Sequence, residues 1–186
     1  MKRAFDLCAA SLACLLLAPL MALVALLIKL TSRGPVLYWS DRVGKDNKLF
    51  RMPKFRTMRL DVPEVATHLL ATPDRYLTPI GHLLRVTSFD ELPQLYNIIQ
   101  GEMSFVGPRP ALHNQDDLVA LRTSKGIQVL APGLTGWAQI NGRDALSIPD
   151  KVRHDEYYLE HRSFWLDVKI IFLTATQVLR GAGVEH

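Results

Sequence analysis

The feature of the sequence that most constrains the fold is a run of twenty-two residues without a charge, Leu7 to Ile28. A membrane-spanning helix needs about 20 predominantly apolar residues, so the run is long enough to cross a bilayer. Pro19 lies inside it and predicts a kink, because proline removes a backbone donor and clashes with the preceding turn. Each half, Leu7–Ala18 and Pro19–Leu30, would measure about 18 Å, less than a hydrocarbon core of about 30 Å. The run therefore predicts either a kinked span or a re-entrant hairpin that enters and leaves by one face, and the tolerance of spanning helices for proline favours the span.

Charge is distributed unevenly along the chain, and the basic part adjoins the apolar run. Residues 1–60 contain eleven Lys and Arg against three acids, a net +8, whereas residues 61–186 contain eleven against fifteen, a net −4. The acidic remainder and the membrane segment argue against nucleic acid as a partner. Positive residues stand at both ends of the run, so the positive-inside preference sets no direction for a crossing.

Two short strands are predicted directly after the apolar run. Residues 36–39 and 48–52 flank a turn-forming Gly-Lys-Asp-Asn segment, which predicts a small β-hairpin beside the membrane. At its end Lys54 and Arg56 flank Phe55, and in extended backbone alternate side chains point to one side. The two cations are therefore candidates for one phosphate ligand, while attraction to anionic lipid headgroups is the plainer interpretation.

The segment SFDELPQL, residues 88–95, places two carboxylates side by side. Pro93 suits the first turn of a helix, and apolar residues continue at helical spacing until Gly101. Asp90 and Glu91 are thus predicted immediately before a helix N-terminus. One acid would serve there as an N-cap, but two neighbours repel unless positive charge lies near. The pair predicts a metal ion or a cluster of arginines beside it.

Arginines that could form such a cluster follow the pair. Arg109 lies between Pro108 and Pro110, whose fixed φ angles present its guanidinium from stiff backbone, an arrangement that suits a grip on phosphate. Further on, PGLTGWAQINGR, residues 132–143, combines glycines with Trp137 and Arg143. This segment could bind a nucleobase and its phosphates, or form only a twisted hairpin.

Together these segments resemble the bacterial sugar transferase family, and within it the small monotopic phosphoglycosyl transferases that begin glycoconjugate assembly on a polyprenyl carrier. The resemblance extends over essentially the whole chain. It rests on KRAFDLCAA at 2–10, KFRTM at 54–58, the DELPQ and GPRP blocks within 74–110, PGLTGWAQINGR, and DEYYLEHRSFWLDVKI at 155–170.

The resemblance implies transfer of a sugar 1-phosphate from a UDP-sugar to polyprenyl (undecaprenyl) phosphate, with release of UMP and a requirement for Mg²⁺. Asp90 and Glu91 match the family's catalytic dyad: Asp90 would form a covalent aspartyl phosphodiester, and Glu91 would help hold Mg²⁺, so both are implied metal ligands. The implied contacts with phosphate and nucleotide come from five cations, Lys54, Arg56, Arg85, Arg109 and Arg143.

The resemblance also implies a membrane arrangement that differs from the span favoured above. In the family the N-terminal helix is a re-entrant hairpin broken at a proline, which matches Pro19. The expected fold is α+β and mostly helical, with a re-entrant membrane helix hairpin over residues 1–32 and a cytosolic catalytic domain over residues 33–186. That domain is expected to contain small β-hairpin elements and surface amphipathic helices. The expected location is the cytosolic face of the bacterial inner (cytoplasmic) membrane, in contact with membrane lipid.

Departures from the family pattern and alternative functions accompany this expectation. Ala18 stands where many relatives have Ser or Thr before the proline, and Ala131 stands where Arg often precedes Pro-Gly. The chain looks like a minimal catalytic unit without the additional N-terminal membrane helices of larger relatives, and downstream glycosyltransferases are candidate partners.

Two other functions stay open: a non-catalytic membrane-surface scaffold for glycan-assembly enzymes, and a basic module that binds lipid or nucleic acid without turnover.

Overall fold

The computed structural model describes residues 2–59, 73–142 and 145–179. The α-helices within these residues are Lys2–Thr31 (α1), Gly81–Val86 (α2), Leu95–Gln100 (α3), Asp116–Ser124 (α4), Trp137–Ile140 (α5), Ile148–His161 (α6) and Phe164–Leu179 (α7). The strands are Leu37–Val43 (β1), Leu49–Phe55 (β2), Ser104–Val106 (β3), Ala111–Leu112 (β4) and Gly133–Thr135 (β5). Short 3₁₀ helices cover Lys45–Asn47, Pro73–Tyr76, Phe89–Gln94 and Ile127–Val129. The described chain is mostly helical with two small sheets, which confirms the predicted α+β class.

β1 and β2 form the predicted hairpin, and both strands are longer than residues 36–39 and 48–52. They pair antiparallel over their full lengths. The reversal between them uses Asp46 and Asn47 with positive φ angles of 55° and 59°, a conformation that Asp and Asn tolerate better than most residues. β4 pairs with the other edge of β1, giving a three-stranded antiparallel sheet in the order β2-β1-β4.

The second sheet is the parallel pair of β3 and β5, and glycines bring its backbones close together. A Cβ on Gly133 would lie 2.1 Å from the backbone nitrogen of Gly107 and 2.3 Å from the carbonyl oxygen of Thr135. The N–H of Gly107 donates to the Thr135 carbonyl, and the N–H of Gly133 donates to the Pro108 carbonyl. This close pairing fixes the backbone that leads into the Pro-Arg-Pro segment, residues 108–110.

α1 is one continuous helix, with Pro19 inside it. Pro19 itself predicted a kink, and the family resemblance implied a hairpin broken there; the structure shows no break, because the helix continues through this position. The residues of α1 that pack against the rest of the protein form one stripe that crosses the proline: Asp6, Ala10, Ala13, Cys14, Leu17, Leu20, Met21, Val24, Ala25 and Ile28. Spacings of three and four residues keep this stripe on one helix face. Packing on both sides of Pro19 thus stabilises helical backbone at a residue that by itself favours a break.

Both ends of α1 are bonded to the same protein body. Near its start, Lys2 pairs with Asp167 of α7 at 2.6 Å, and Asp6 accepts a hydrogen bond from the Ser104 hydroxyl at 2.8 Å. At the other end, the carbonyls that follow α1 accept hydrogen bonds from Arg56. A helix attached at both ends lies along the body instead of projecting away from it, which agrees with entry and exit on one side of a membrane. The re-entrant arrangement in a bilayer stays a prediction.

Arg56 binds the chain at the end of α1 and does not accompany Lys54. Its guanidinium donates to the carbonyl oxygens of Ser32 at 3.1 Å and Arg33 at 2.6 Å, and the residue is only 3% exposed. The strand alternation expected to align the two cations does not extend to Arg56, because β2 ends at Phe55. Carbonyl groups at a helix C-terminus attract cations. The position of Arg56 therefore does not support the prediction that it contacts phosphate.

The face of α1 opposite the packed stripe exposes large apolar side chains. Leu15 and Leu30 are each 73% exposed. Among the described residues, α1 is the helix that is long and apolar enough to cross a membrane. Trp165 and Phe172 of α7 are also exposed, as expected of an amphipathic helix at a lipid interface. Membrane association of this surface follows from the exposed apolar area.

Two of the three apolar core clusters include α1. One packs its N-terminal half against β2 and α3 around Met52 and Ile98, and another packs its C-terminal half against Phe55 and Leu84. The third joins β3, α4, α6 and α7 around buried Ile170. The 3₁₀ helix Phe89–Gln94 contacts β2 and α2. The residues SFDELPQL are thereby held against the end of the hairpin that carries Lys54.

Gly133→Ala should destabilise the protein, because the new methyl group would overlap backbone atoms of Gly107 and Thr135. Overpacking typically costs about 1–3 kcal/mol, and a clash with backbone belongs at the upper end. We expect the melting temperature, measured by intrinsic fluorescence in detergent, to fall by roughly 6 °C or more. Gly126→Ala is the control, since nothing lies within 4 Å of that added Cβ and only the positive φ of 72° opposes it. A Gly133→Ala protein at least as stable as Gly126→Ala would contradict the close packing.

Candidate active site

The two adjacent carboxylates lie in the 3₁₀ helix Phe89–Gln94, which runs directly into α3. The sequence placed them ahead of a helix N-terminus, and that boundary is wrong. The helical turn starts after Ser88, whose φ is 57°, and Pro93 lies within it. Neither acid is an N-cap, since both belong to the turn itself. The helix ends at Gly101 with a φ of 90°, as the sequence predicted.

The Glu91 carboxylate is buried and held by two cations from other parts of the chain. Its Oε1 atom accepts from Lys54 Nζ at 2.8 Å and from Arg109 Nη2 at 3.0 Å. Neither contact uses Oε2. Burial alone would raise the pKa of Glu91, but Lys54 and Arg109 outweigh it and hold that pKa well below its usual range. Glu91 is therefore an ionised, fixed carboxylate at neutral pH.

The neighbouring Asp90 has a different environment. It is 8% exposed, and within the described residues no hydrogen bond or ion pair holds its carboxylate. Burial raises the pKa of Asp90 to about 6; the charge of Lys54 opposes the rise, that of Glu91 adds to it, and those of Arg85 and Arg109 oppose it. Environments that push the pKa values of two carboxyl groups apart assign them different chemical roles.

The structure brings three of the five candidate cations to the dyad. Lys54 and Arg109 bind Glu91 directly, and Arg85 is near enough for its charge to lower the pKa of Asp90. Arg85 is oriented by hydrogen bonds to Thr57 and Met58. The fourth cation, Arg56, lies at the end of α1, as described above. The fifth, Arg143, lies outside the described residues.

Trp137, which the sequence made a candidate for contact with a nucleobase, packs against side chains of the protein itself. Tyr157 stacks on its ring at 5.2 Å between centroids, and the Lys169 ammonium lies over the ring at 5.7 Å from the centroid. His161 stacks in turn on Tyr157 at 4.1 Å. The tryptophan thus joins α5 to α6 and α7, and its role in the described structure is packing.

Sequence reasoning did not single out Arg122 or Asp155, which support the segment that carries Arg109. Arg122 Nη1 donates to the backbone carbonyl of Arg109 at 2.8 Å, and its other nitrogens bind Asp155 at 2.7 and 2.9 Å. The sequence around Arg122 has no distinctive motif. Asp155 lies in a segment that carries the family resemblance, which was the only signal available for it.

The carboxylates of Asp90 and Glu91 form a donor set that suits Mg²⁺. No group of three or more His, Cys, Asp or Glu side chains that could hold a metal occurs in the described chain. Mg²⁺ is usually bound by one or two carboxylates together with substrate phosphates and waters, so two acids are sufficient. Oε2 of Glu91 and the carboxylate of Asp90 are the oxygens that the cation contacts described above do not use.

Comparison with known proteins identifies the family. A profile described as bacterial sugar transferase matches residues 1–181. The chain belongs to the bacterial sugar transferase family. The acid pair, the Pro-Arg-Pro segment and the apolar helix α1 all lie within the matched residues.

Individual relatives of this chain have names that specify different sugars. The chain is 46% identical to an undecaprenyl-phosphate glucose phosphotransferase of Komagataeibacter xylinus, over 93% of this chain and 35% of that protein. It is 38% identical to a UDP-N-acetylgalactosamine-undecaprenyl-phosphate N-acetylgalactosaminephosphotransferase of Aeromonas hydrophila, over 99% of this chain and 45% of that protein. It is 40% identical to EpsL of Bacillus subtilis, an uncharacterized sugar transferase, over 100% of this chain and 91% of that protein. The chain spans less than half the length of the first two relatives.

The titration of Asp90 tests the electrostatics of the site. In metal-free protein its carboxyl group should titrate with a pKa of about 6, so it is about nine-tenths ionised at pH 7 and protonated as the pH falls below 6. An unperturbed aspartate would stay ionised down to about pH 4. The measurement is the ¹³C carboxyl chemical shift of labelled aspartate against pH, with Asp90→Asn identifying the signal. If the signal that is lost in Asp90→Asn titrates below pH 4.5 in the wild type, the raised pKa of Asp90 is refuted.

Proposed function

We propose that this chain is a UDP-sugar:polyprenyl-phosphate sugar-1-phosphate transferase, which moves a sugar 1-phosphate to polyprenyl (undecaprenyl) phosphate and releases UMP. Membership of the bacterial sugar transferase family and the undecaprenyl-phosphate phosphotransferase names of relatives support this reaction class. Those relatives differ in their sugars, so the identity of the sugar stays open. The observation that carries the proposal is the pair of adjacent buried carboxylates, one clamped by two cations and one not.

Asp90 is the proposed nucleophile. Its carboxylate oxygen attacks the phosphorus that bears the sugar, the bond from this phosphorus to the UMP oxygen breaks, and an aspartyl phosphodiester remains on the enzyme. A phosphate oxygen of the polyprenyl carrier then attacks the same phosphorus, and the Asp90 carboxylate leaves. Covalent catalysis splits one difficult transfer into two easier ones. Asp90 is favoured over Glu91 because no described cation holds its carboxylate, whereas Lys54 and Arg109 fix Glu91 and withdraw electron density from it.

The cations around the dyad are proposed to bind the phosphates of the donor. Lys54, Arg85 and Arg109 surround the two acids with positive charge, which offsets the repulsion between a carboxylate nucleophile and a phosphodiester. Arg109 has the planar, multi-donor geometry that grips phosphate oxygens in pairs. Arg143 is proposed as a further nucleotide contact because it belongs to the PGLTGWAQINGR segment.

Mg²⁺ is the proposed cofactor, held by Asp90 and Glu91 together with donor phosphates. When bound, it would neutralise phosphate charge during both transfers. Glu91 suits a ligand role because Lys54 and Arg109 fix its orientation and keep it ionised. At pH 7 Asp90 is protonated for only a small fraction of the time, so the carboxylates of Asp90 and Glu91 are available together as oxygen donors.

The proposed location is the cytosolic face of the bacterial inner membrane, with α1 re-entrant in the bilayer. The exposed apolar surface of α1 and its attachment to the body at both ends support this placement. A polyprenyl carrier is itself dissolved in the bilayer, so a site beside a membrane-embedded helix can reach its phosphate. Downstream glycosyltransferases are proposed partners, since the product is the first lipid-linked unit of a polysaccharide or glycoprotein glycan.

UMP release measures the proposed reaction directly. Purified protein with Mg²⁺, undecaprenyl phosphate and a panel of UDP-sugars should release UMP with at least one donor. Asp90→Asn and Glu91→Gln should each lower the rate by about a thousandfold or more, as loss of a covalent nucleophile or its essential partner does. Asp116→Asn, at an exposed aspartate in the first turn of α4, is the matched control and should retain full activity.

A trapping experiment separates the role of Asp90 from simple binding. With donor labelled in the sugar-bearing phosphate and no carrier, label should remain on the wild-type protein and on Asp116→Asn, but not on Asp90→Asn. Retention of label by Asp90→Asn would show that another residue is the nucleophile. Absence of UMP release across the whole panel would instead favour the non-catalytic scaffold that recruits glycan-assembly enzymes.

Cysteine labelling in intact cells tests the re-entrant arrangement. Cys8 and Cys14 are first replaced by alanine, and single cysteines are introduced at Lys2 and at Thr31, the two ends of α1. A re-entrant helix keeps both positions away from a membrane-impermeant reagent added outside, whereas a permeant reagent labels both. Labelling of either position by the impermeant reagent would establish a span.

A further inference from the structure

One guanidinium connects α6 to the backbone of Arg109. Arg122, on α4, donates from Nε and Nη2 to Oδ2 of Asp155 at 2.9 and 2.7 Å, and from Nη1 to the carbonyl oxygen of Arg109 at 2.8 Å. Asp155 is 2% exposed. A buried carboxylate is costly unless it is paired, so Arg122 is held in place by the charge that it neutralises. Three of its donors are thereby used in one fixed geometry.

Arg109 in turn contacts the pair of acids. Its backbone carbonyl is bound by Arg122, and its side chain binds Glu91 Oε1 at 3.0 Å. The two residues before it, Gly107 and Pro108, are tied to β5 by backbone hydrogen bonds, but the carbonyl of Arg109 is bound by Arg122. A cavity lined in part by Pro108, Arg109 and Arg122 lies beside this segment. Arg122 is thus the described residue that binds the Arg109 carbonyl, and loss of its hydrogen bond would free that peptide group on one side.

We propose that Arg122 and Asp155 are positioning residues for the active site: they hold the backbone of Arg109 so that its guanidinium meets Glu91 and the phosphates of the donor. Neither residue touches the dyad, so both act through Arg109. This inference rests on the proposed function where it concerns the donor, and on the structure alone where it concerns Arg109. Arg122→Lys should keep the charge beside Asp155 but lose the planar fork that serves two acceptors at once.

A second ion pair also links the α4 region to α6 and provides a matched control. Lys125, which follows α4, pairs with Glu156 of α6 at 3.0 Å, and both residues are more exposed than Arg122 and Asp155. This pair also links the end of α4 to α6, but it makes no contact with the Arg109 segment. Exposed ion pairs contribute little to stability. Lys125→Met should therefore leave both the site and the fold unchanged.

A double-mutant cycle on UMP release tests the positioning role. Arg122→Lys should lower kcat/KM for the donor about tenfold or more, the effect of losing one charge-assisted hydrogen bond. In an Arg109→Lys background the same change should lower kcat/KM less than about twofold, because the residue that it positions has already been altered. Equal losses in both backgrounds, or a similar loss in Lys125→Met, would overturn the proposal. Asp155→Asn, which keeps an acceptor for Arg122, is a second variant expected to show the same non-additivity.

Amide hydrogen exchange tests the inference independently of activity. Peptides covering residues 107–112 should exchange faster in Arg122→Lys than in the wild type, while those covering residues 49–55 of β2 and all peptides of Lys125→Met should keep wild-type rates. Unchanged exchange at 107–112 in Arg122→Lys would overturn the proposal even if activity fell. If the wild-type protein releases no UMP, the proposed function fails, and hydrogen exchange alone still decides whether Arg122 holds the Arg109 segment.

Discussion

A single carboxylate oxygen, Oε1 of Glu91, connects three parts of the chain that are distant in sequence. Lys54 reaches it from the end of β2, and Arg109 reaches it from the Pro-Arg-Pro segment after β3. All three charges are at least partly withdrawn from water, and a buried carboxylate is stable only when paired. The hairpin, the 3₁₀ helix and the parallel strand pair must therefore be in place together for this contact to form. The packing of these elements on one another is thus what forms the candidate site.

The same contact accounts for the difference between the two acids. Because Lys54 and Arg109 satisfy Glu91, its negative charge stays beside Asp90 and adds to the effect of burial on the pKa of Asp90. Two residues adjacent in sequence thus acquire separate properties from their surroundings. One becomes a permanently ionised anchor, and the other a carboxylate that no described side chain holds. The proposed nucleophile is therefore the acid that no described side chain holds, and the proposed metal ligand is the acid that Lys54 and Arg109 fix.

α1 serves both the protein core and the membrane, and its two faces show how. The stripe from Asp6 to Ile28 packs on the protein body, while leucines on the opposite face remain exposed. Because Arg56 binds the chain directly after α1 and Lys54 binds Glu91, only Phe55 separates a contact at the end of α1 from a contact with the candidate site. A short stretch of chain thus connects the end of α1 to the candidate site.

Local patterns in the sequence determined much of the fold and the identity of the central pair. The apolar run, the hairpin around Asp46 and Asn47, and the helix end at Gly101 depend on residues within one or two turns of each other, so their spacing was informative. The adjacent acids also stood out without a structure. Their position inside a 3₁₀ turn could not be predicted from the sequence, because it depends on the backbone at Ser88 and on packing against β2.

Tertiary structure alone decided which cation meets which partner. Lys54 and Arg56 are equivalent in the sequence pattern, yet one binds an acid 37 residues away and the other binds the end of α1. Pairing with Asp155 recruited Arg122, which no motif marks, and packing continued α1 through Pro19. Spacing determines which side chains share a face of one element, because that depends on backbone periodicity. Contacts between elements depend on how the whole chain packs, and that information is not contained in any short segment.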